Sequence, residues 1–161
     1  MLFRQIERRK SPLTENLILR ASPNLLCICV DADGSDYFYR MYHCLTETPI
    51  VSHELGYLIL EADNVFGRVR CPQAAVADRS FRDRSTRAEN FVPEERNLPM
   101  CEHDLTNRRG EKGTFVVHVQ YRQNATWQGT VVWADKNKSQ QFRSALELMK
   151  LIDSALDESE A

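Results

Sequence analysis

Glycine and proline are scarce in this chain, with six of each in 161 residues. The glycines are spread along the whole length and nowhere cluster into a loop whose bare N–H groups could cradle a phosphate. That absence argues against P-loop nucleotide chemistry and against a dinucleotide fingerprint. No apolar run approaches the roughly 20 residues that a membrane-spanning helix needs, and no apolar stretch follows Met1-Leu2-Phe3-Arg4, so no secretory signal is visible. Cysteine is limited to Cys27, Cys29, Cys44, Cys71 and Cys101. An odd count without a secretion signal predicts structural thiols in a reducing cytoplasm, not a disulfide framework.

What is present suffices for a packed core: 42% of residues are hydrophobic and 27% charged, with a formal net charge of −2. The total hides an uneven distribution. Residues 1–24 carry +3, residues 25–69 carry −5, residues 70–113 carry +1 and residues 114–161 carry −1. Sixteen of the 21 basic residues are arginine, the side chain suited to planar carboxylate and phosphate partners.

The C-terminal third has the clearest organisation. Phe115, Val117, Val119 and Tyr121 alternate with polar or smaller residues, as a strand with one buried face does. Gln123-Asn124-Ala125-Thr126 reads as a turn. Trp127, Gly129, Val131 and Trp133 share one face of a second strand, Asp135 to Lys138 form another turn, and Gln140 to Phe142 suit a short third strand. Ser144-Ala145-Leu146-Glu147 matches a capping box ahead of a helical stripe of Ala145, Leu148, Met149, Ile152 and Leu156, which fades in Asp157-Glu158-Ser159-Glu160. Near the N-terminus, Ser11-Pro12 opens a short helix that places Leu13, Leu17 and Ile18 together.

A weaker copy of the C-terminal pattern lies 89 residues earlier. Leu26, Ile28 and Val30 fall on Phe115, Val117 and Val119, and Phe38, Tyr42 and Cys44 fall on Trp127, Val131 and Trp133. After one extra residue, Leu55, Leu58, Ile59, Ala62, Asp63 and Phe66 match Ala145, Leu148, Met149, Ile152, Asp153 and Leu156. The chain therefore divides into a basic segment 1–24, a first strand–strand–helix unit 25–67, an Arg-rich connector 68–112, a second unit 113–157 and an acidic tail 158–161. The expected fold is α+β: two tandem ββα units joined in one antiparallel sheet of up to six strands, backed by two helices.

The run Arg122-Gln123-Asn124-Ala125-Thr126-Trp127-Gln128-Gly129, then Trp133, then Phe142-Arg143-Ser144-Ala145-Leu146-Glu147-Leu148, resembles a family of uncharacterised small proteins from gut Clostridia, among the Firmicutes. The resemblance is specific over the C-terminal unit and looser over Pro49, the Leu55-to-Asp63 helix and Cys71-Pro72-Gln73. It implies a bacterial cytoplasmic protein and supports the unit boundaries. It assigns no catalytic residue.

Signatures of chemistry are few. In Asp31-Ala32-Asp33-Gly34-Ser35-Asp36 the glycine is fourth, and position twelve is Tyr42, so the spacing of a calcium loop fails and Asp33-Gly34 reads as a hairpin turn. Cys27 with Cys29, and Cys101 with His103, lack the spacing of a zinc knuckle. Cys71 and His103 are the residues to test for an unrecognised hydrolase. No catalytic residue, metal or cofactor is expected. The leading expectation is a non-enzymatic protein-interaction or regulatory module of a bacterial cell or mobile element, with a homodimer as one form of it. The alternative is a nucleic-acid-binding accessory protein. Partner contacts, protein or nucleic acid, are expected at Arg8, Arg9 and Lys10, and at Arg79, Arg82, Arg84 and Arg87. Trp127 and Trp133 are either core residues or a recognition platform, and the ladder of their strand offers an edge for an added strand.

Overall fold

The computed structural model describes residues 22–77, 79–81 and 108–160. The helix expected behind Ser11-Pro12 and most of the connector lie outside these residues. Strand β1 (Leu25–Asp33) turns into β2 (Asp36–Tyr42) through two residues, with Asp33 opposite Asp36. Gly34 sits at φ +63°, a conformation that side chains with a Cβ adopt rarely, so the hairpin expected at Asp33-Gly34 is the one that forms. There follow β3 (Ile50–Ser52), helix α1 (Leu55–Val69), β4 (Gly113–Tyr121), β5 (Gln128–Trp133), β6 (Lys138–Phe142) and helix α2 (Ala145–Glu160).

The six strands form one antiparallel sheet in the order β3-β2-β1-β4-β5-β6. The fold is α+β. The two halves of the chain meet where β1 pairs with β4, with Leu26 opposite Val117, Ile28 opposite Phe115 and Val30 opposite Gly113. Gly129 allows β5 to lie close to β4, because a Cβ there would stand 1.9 Å from the His118 carbonyl oxygen.

Both helices cover the same face of the sheet. Leu58, Ile59, Ala62 and Phe66 of α1 join Leu148, Ile152, Ala155 and Leu156 of α2 in one core with Leu26, Ile28, Met41, Phe115, Val117 and Val131. Each such fully buried aliphatic or aromatic side chain contributes about 1.5–3 kcal/mol. The opposite face is also closed at its centre, since Leu25, Cys27, Cys29 and Val132 are buried there. Cys27 and Cys29 share that face as the strand period requires, with their sulfurs 3.9 Å apart.

Four details depart from expectation. Strand β3 precedes α1, so the first half carries three strands, not two; three residues give too short a pattern to read. Strand β5 is paired on both sides, by β4 and β6, so its ladder has no free edge for an incoming strand. Helix α2 does not fade at Asp157: Glu158 pairs with Lys138 at 3.0 Å, and Glu160 accepts from the Tyr37 hydroxyl at 2.5 Å. Cys44 is disulfide-bonded, whereas the cysteine count predicted thiols. The capping box is half formed. The Ser144 hydroxyl accepts from the Glu147 N–H at 3.0 Å, but the Glu147 carboxylate turns to Arg143 at 2.9 Å, and Thr126 Oγ1 accepts from the Ala145 N–H instead.

His43 follows β2 and is buried against the edge of Phe66. Its Nε2 donates to the Pro23 carbonyl at 2.6 Å, and its Nδ1 accepts from the Leu45 N–H at 3.1 Å. Both contacts suit the neutral ring, and burial lowers the pKa below the ordinary histidine value. A second proton would set two donors against each other. The unfolded chain therefore binds this proton at higher pH than the folded one does, so stability falls as pH drops below about 6.5 and on through the lower folded pKa. His118, also shifted down by burial, adds in the same direction. Urea unfolding at pH 7.5 and 5.5 should show this loss in the parent and a smaller loss in His43→Phe; equal losses contradict it. Leu148, fully buried, should cost about 2–5 kcal/mol on truncation to alanine, read from the same urea midpoints. A parent-like midpoint would place the α2 stripe wrongly.

Candidate functional site

Alternation along β4 points Phe115, Val117 and Val119 into the core, and continued alternation would send Tyr121 there too. It does not. The register with β5 shifts between Val119 and Tyr121, and this bulge flips the strand by one residue. Tyr121 is 58% exposed, whereas the next residue, Arg122, is 6% exposed. A guanidinium therefore enters the space that an aromatic ring was expected to fill.

A buried cation needs donors matched to acceptors. Asp63 supplies the main ones from the edge of the buried stripe of α1. Arg122 donates from Nε and Nη2 to Asp63 Oδ1 at 3.2 and 2.9 Å, and from Nη1 to the Pro72 carbonyl at 3.2 Å. Trp127, one residue before β5, donates its indole N–H to the same Oδ1 at 2.9 Å. Oδ1 thus takes three donors, while Oδ2 takes none among the described residues. The segment after α1 is tied to the cluster as well, since the Ala75 N–H donates to the Arg122 carbonyl at 3.0 Å. Asn124 and Ala125, both at φ +55°, make the tight turn that returns the chain from Arg122 to Trp127.

Beside the cluster opens a cavity of about 150 Å³. Its walls are Ile59 and Leu60 of α1, Ala74 and Val76 of the following segment, Trp127, and Ala145 at the start of α2, with Asp63 and Arg122 as the polar part. Leu60 and Val76 belong to the lining and remain 67% and 49% exposed. Large apolar side chains left in water around a concave, partly polar site are the usual mark of a recognition surface.

The expected site residues are placed as follows. Trp127 is buried, with one edge on the cavity and its N–H committed to Asp63, so it forms a wall and not an open platform. Trp133 is also buried; it stacks on Phe115 at 6.2 Å, with the Lys138 ammonium 5.8 Å from its ring. It lines a second cavity of about 220 Å³ with Val131, Leu151 and Glu158, but its indole N–H is buried with no acceptor among the described residues. Arg79 is exposed. Arg8, Arg9, Lys10, Arg82, Arg84 and Arg87 lie outside the described residues, as does His103. Burial pushes the Cys71 thiol up, away from the thiolate a nucleophile needs. Among the described residues no three His, Cys, Asp or Glu side chains converge as metal ligands would, and no helix is long and apolar enough to cross a membrane.

Arg122 and Asp63 carry no sequence signal of their own. The one available cue was the matched pair of aspartates, Asp63 and Asp153, each directly after a residue of the apolar helical stripe, Ala62 and Ile152. No family model matches the chain, and no curated protein or solved structure matches it either. Fold and site together define an α+β protein with a half-open apolar cavity floored by a carboxylate–guanidinium–indole cluster.

Asp63→Ala would leave the Arg122 guanidinium buried without its main partner. Equilibrium unfolding should show a loss of about 2–3 kcal/mol, less than for a fully enclosed pair because Asp63 is partly exposed. Adding Arg122→Met should restore part of it. A single variant as stable as the parent would contradict the cluster.

Proposed function

We propose that this chain is a non-enzymatic protein-interaction module of a bacterial cell or mobile element, and that its docking surface is the cavity beside Asp63. One observation carries the reading: Leu60 and Val76 stay largely in water on the wall of a concavity whose polar part is the Asp63–Arg122 pair. Apolar rim and polar floor are the two parts of a protein-recognition pocket, the first supplying burial and the second orientation. Asp63 Oδ2 provides an acceptor for a partner's donor. The raised thiol of Cys71 gives no support to a hydrolase.

The scaffold is a duplicated strand-and-helix unit in this reading. Three strands and a helix occur twice in chain order, and β1 and β4 hold equivalent central places in the sheet. The two halves have since diverged. Asp63 meets Arg122 and Trp127, whereas its counterpart Asp153 lies near Tyr39, whose hydroxyl it helps push up in pKa. A cytoplasmic location fits the free thiols of Cys27, Cys29 and Cys71; the Cys44 disulfide favours a more oxidising setting.

Selection of displayed peptides on the purified full chain tests the docking surface. Enriched sequences should carry a large apolar or aromatic anchor, and Leu60→Glu should weaken their binding at least about tenfold, a loss of hot-spot size. Because Leu60 is exposed, that variant should melt like the parent. Peptides that bind Leu60→Glu and Val76→Glu as well as the parent would overturn the reading. Retention on heparin with a steep salt dependence, unchanged by either variant, would point instead to nucleic acid.

A further inference from the structure

Phe81 is the most exposed large apolar side chain of the described residues, at 113% of the reference area for a phenylalanine. No described residue covers it. Five residues earlier in the same segment, Val76 forms part of the cavity wall, as does Ala74. An aromatic knob and an apolar hole thus lie on one short stretch of chain. The hole has the right size: an apolar cavity of about 150 Å³ holds a benzene ring, and this one measures about 150 Å³.

We propose that the cavity beside Asp63 receives the Phe81 ring of a second copy of this chain, and that the second cavity of the pair receives the first copy's Phe81 in return. Knob and hole on one short segment give it the means to be self-complementary, the requirement for a closed two-fold dimer. Ile59, Leu60, Val76 and Trp127 supply the apolar walls for the ring. Charge agrees with this pairing. Arg79, exposed and two residues from Phe81, would arrive with the ring at a cavity lined by Asp63, whose Oδ2 lacks a donor among the described residues. The inference rests on the docking reading above and names its occupant.

Sedimentation velocity on the full chain tests it. The parent should pass from monomer to dimer in the micromolar range, and Phe81→Ala and Leu60→Glu should each weaken the dimer at least about tenfold. Both positions are exposed in the single chain, so both variants should keep the parent's melting temperature. Mixing the two variants restores one intact contact, Phe81 of the Leu60→Glu chain in the cavity of the Phe81→Ala chain. The mixture should therefore associate more strongly than either variant alone. A parent that stays monomeric to about 0.5 mM, a dimer that neither variant weakens, or a mixture no tighter than its components overturns the proposal. So does a monomeric parent that Phe81→Ala destabilises, which would place the ring in its own chain's cavity. Peptides selected on monomeric Phe81→Ala separate the two readings: if they bind and the parent is monomeric, the docking surface stands and the second copy does not.

Discussion

The pairing of β1 with β4 is the constraint on which the rest of this structure depends. Each half of the chain offers three short strands and one helix, which is too little to bury a robust core alone. Joined along six register pairs from Leu25–His118 to Val30–Gly113, the halves present one continuous face. Two helices can then share a single core through Phe66, Phe115, Leu148 and Ile152. The pairing also removes from solvent the two strand edges that are richest in apolar residues, leaving at the sheet's margins a three-residue β3 and a polar β6, both poor templates for unwanted strand addition.

The candidate site is a consequence of that joint. Because β4 lies beside β1, its far end comes under helix α1 of the other half, and the bulge after Val119 turns Arg122 toward Asp63. The carboxylate holds both the guanidinium and the indole of Trp127, so helix, strand end and turn are fixed relative to one another by one oxygen atom. The cavity persists there because the neighbouring walls are small: Ala74, Ala125 and Ala145 do not reach across the gap.

Much of this was legible in the residues. Period-two alternation located β4 and β5, the repeat pointed to β1 and β2, the helical stripes located α1 and α2, and Asp33-Gly34 located the hairpin. These signals are strong because burial on one face forces the pattern. In β2 the face was misread: Tyr39 and Met41 enter the core, Phe38 and Tyr42 do not, and Cys44 lies beyond the strand. What escaped detection was local or long-range. Strand β3 is shorter than the pattern it would need. The bulge inverted the reading at Tyr121 and Arg122, since alternation carries no mark of an inserted residue. The Asp63–Arg122 pair spans 59 residues and joins two halves, which no local spacing records. Trp127 and Trp133 are buried, as the core reading of these two residues expects.

If the β1–β4 joint governs the fold, the two halves must open together. Native-state hydrogen exchange on the full chain measures this directly. Amides of Ile28 and Val30 in β1, of Val117 in β4, and of the α1 and α2 cores should exchange with one common free energy, equal to that of global unfolding. A markedly lower value for every core amide of one half would mean that this half opens by itself, and would contradict the single shared core on which the site is built.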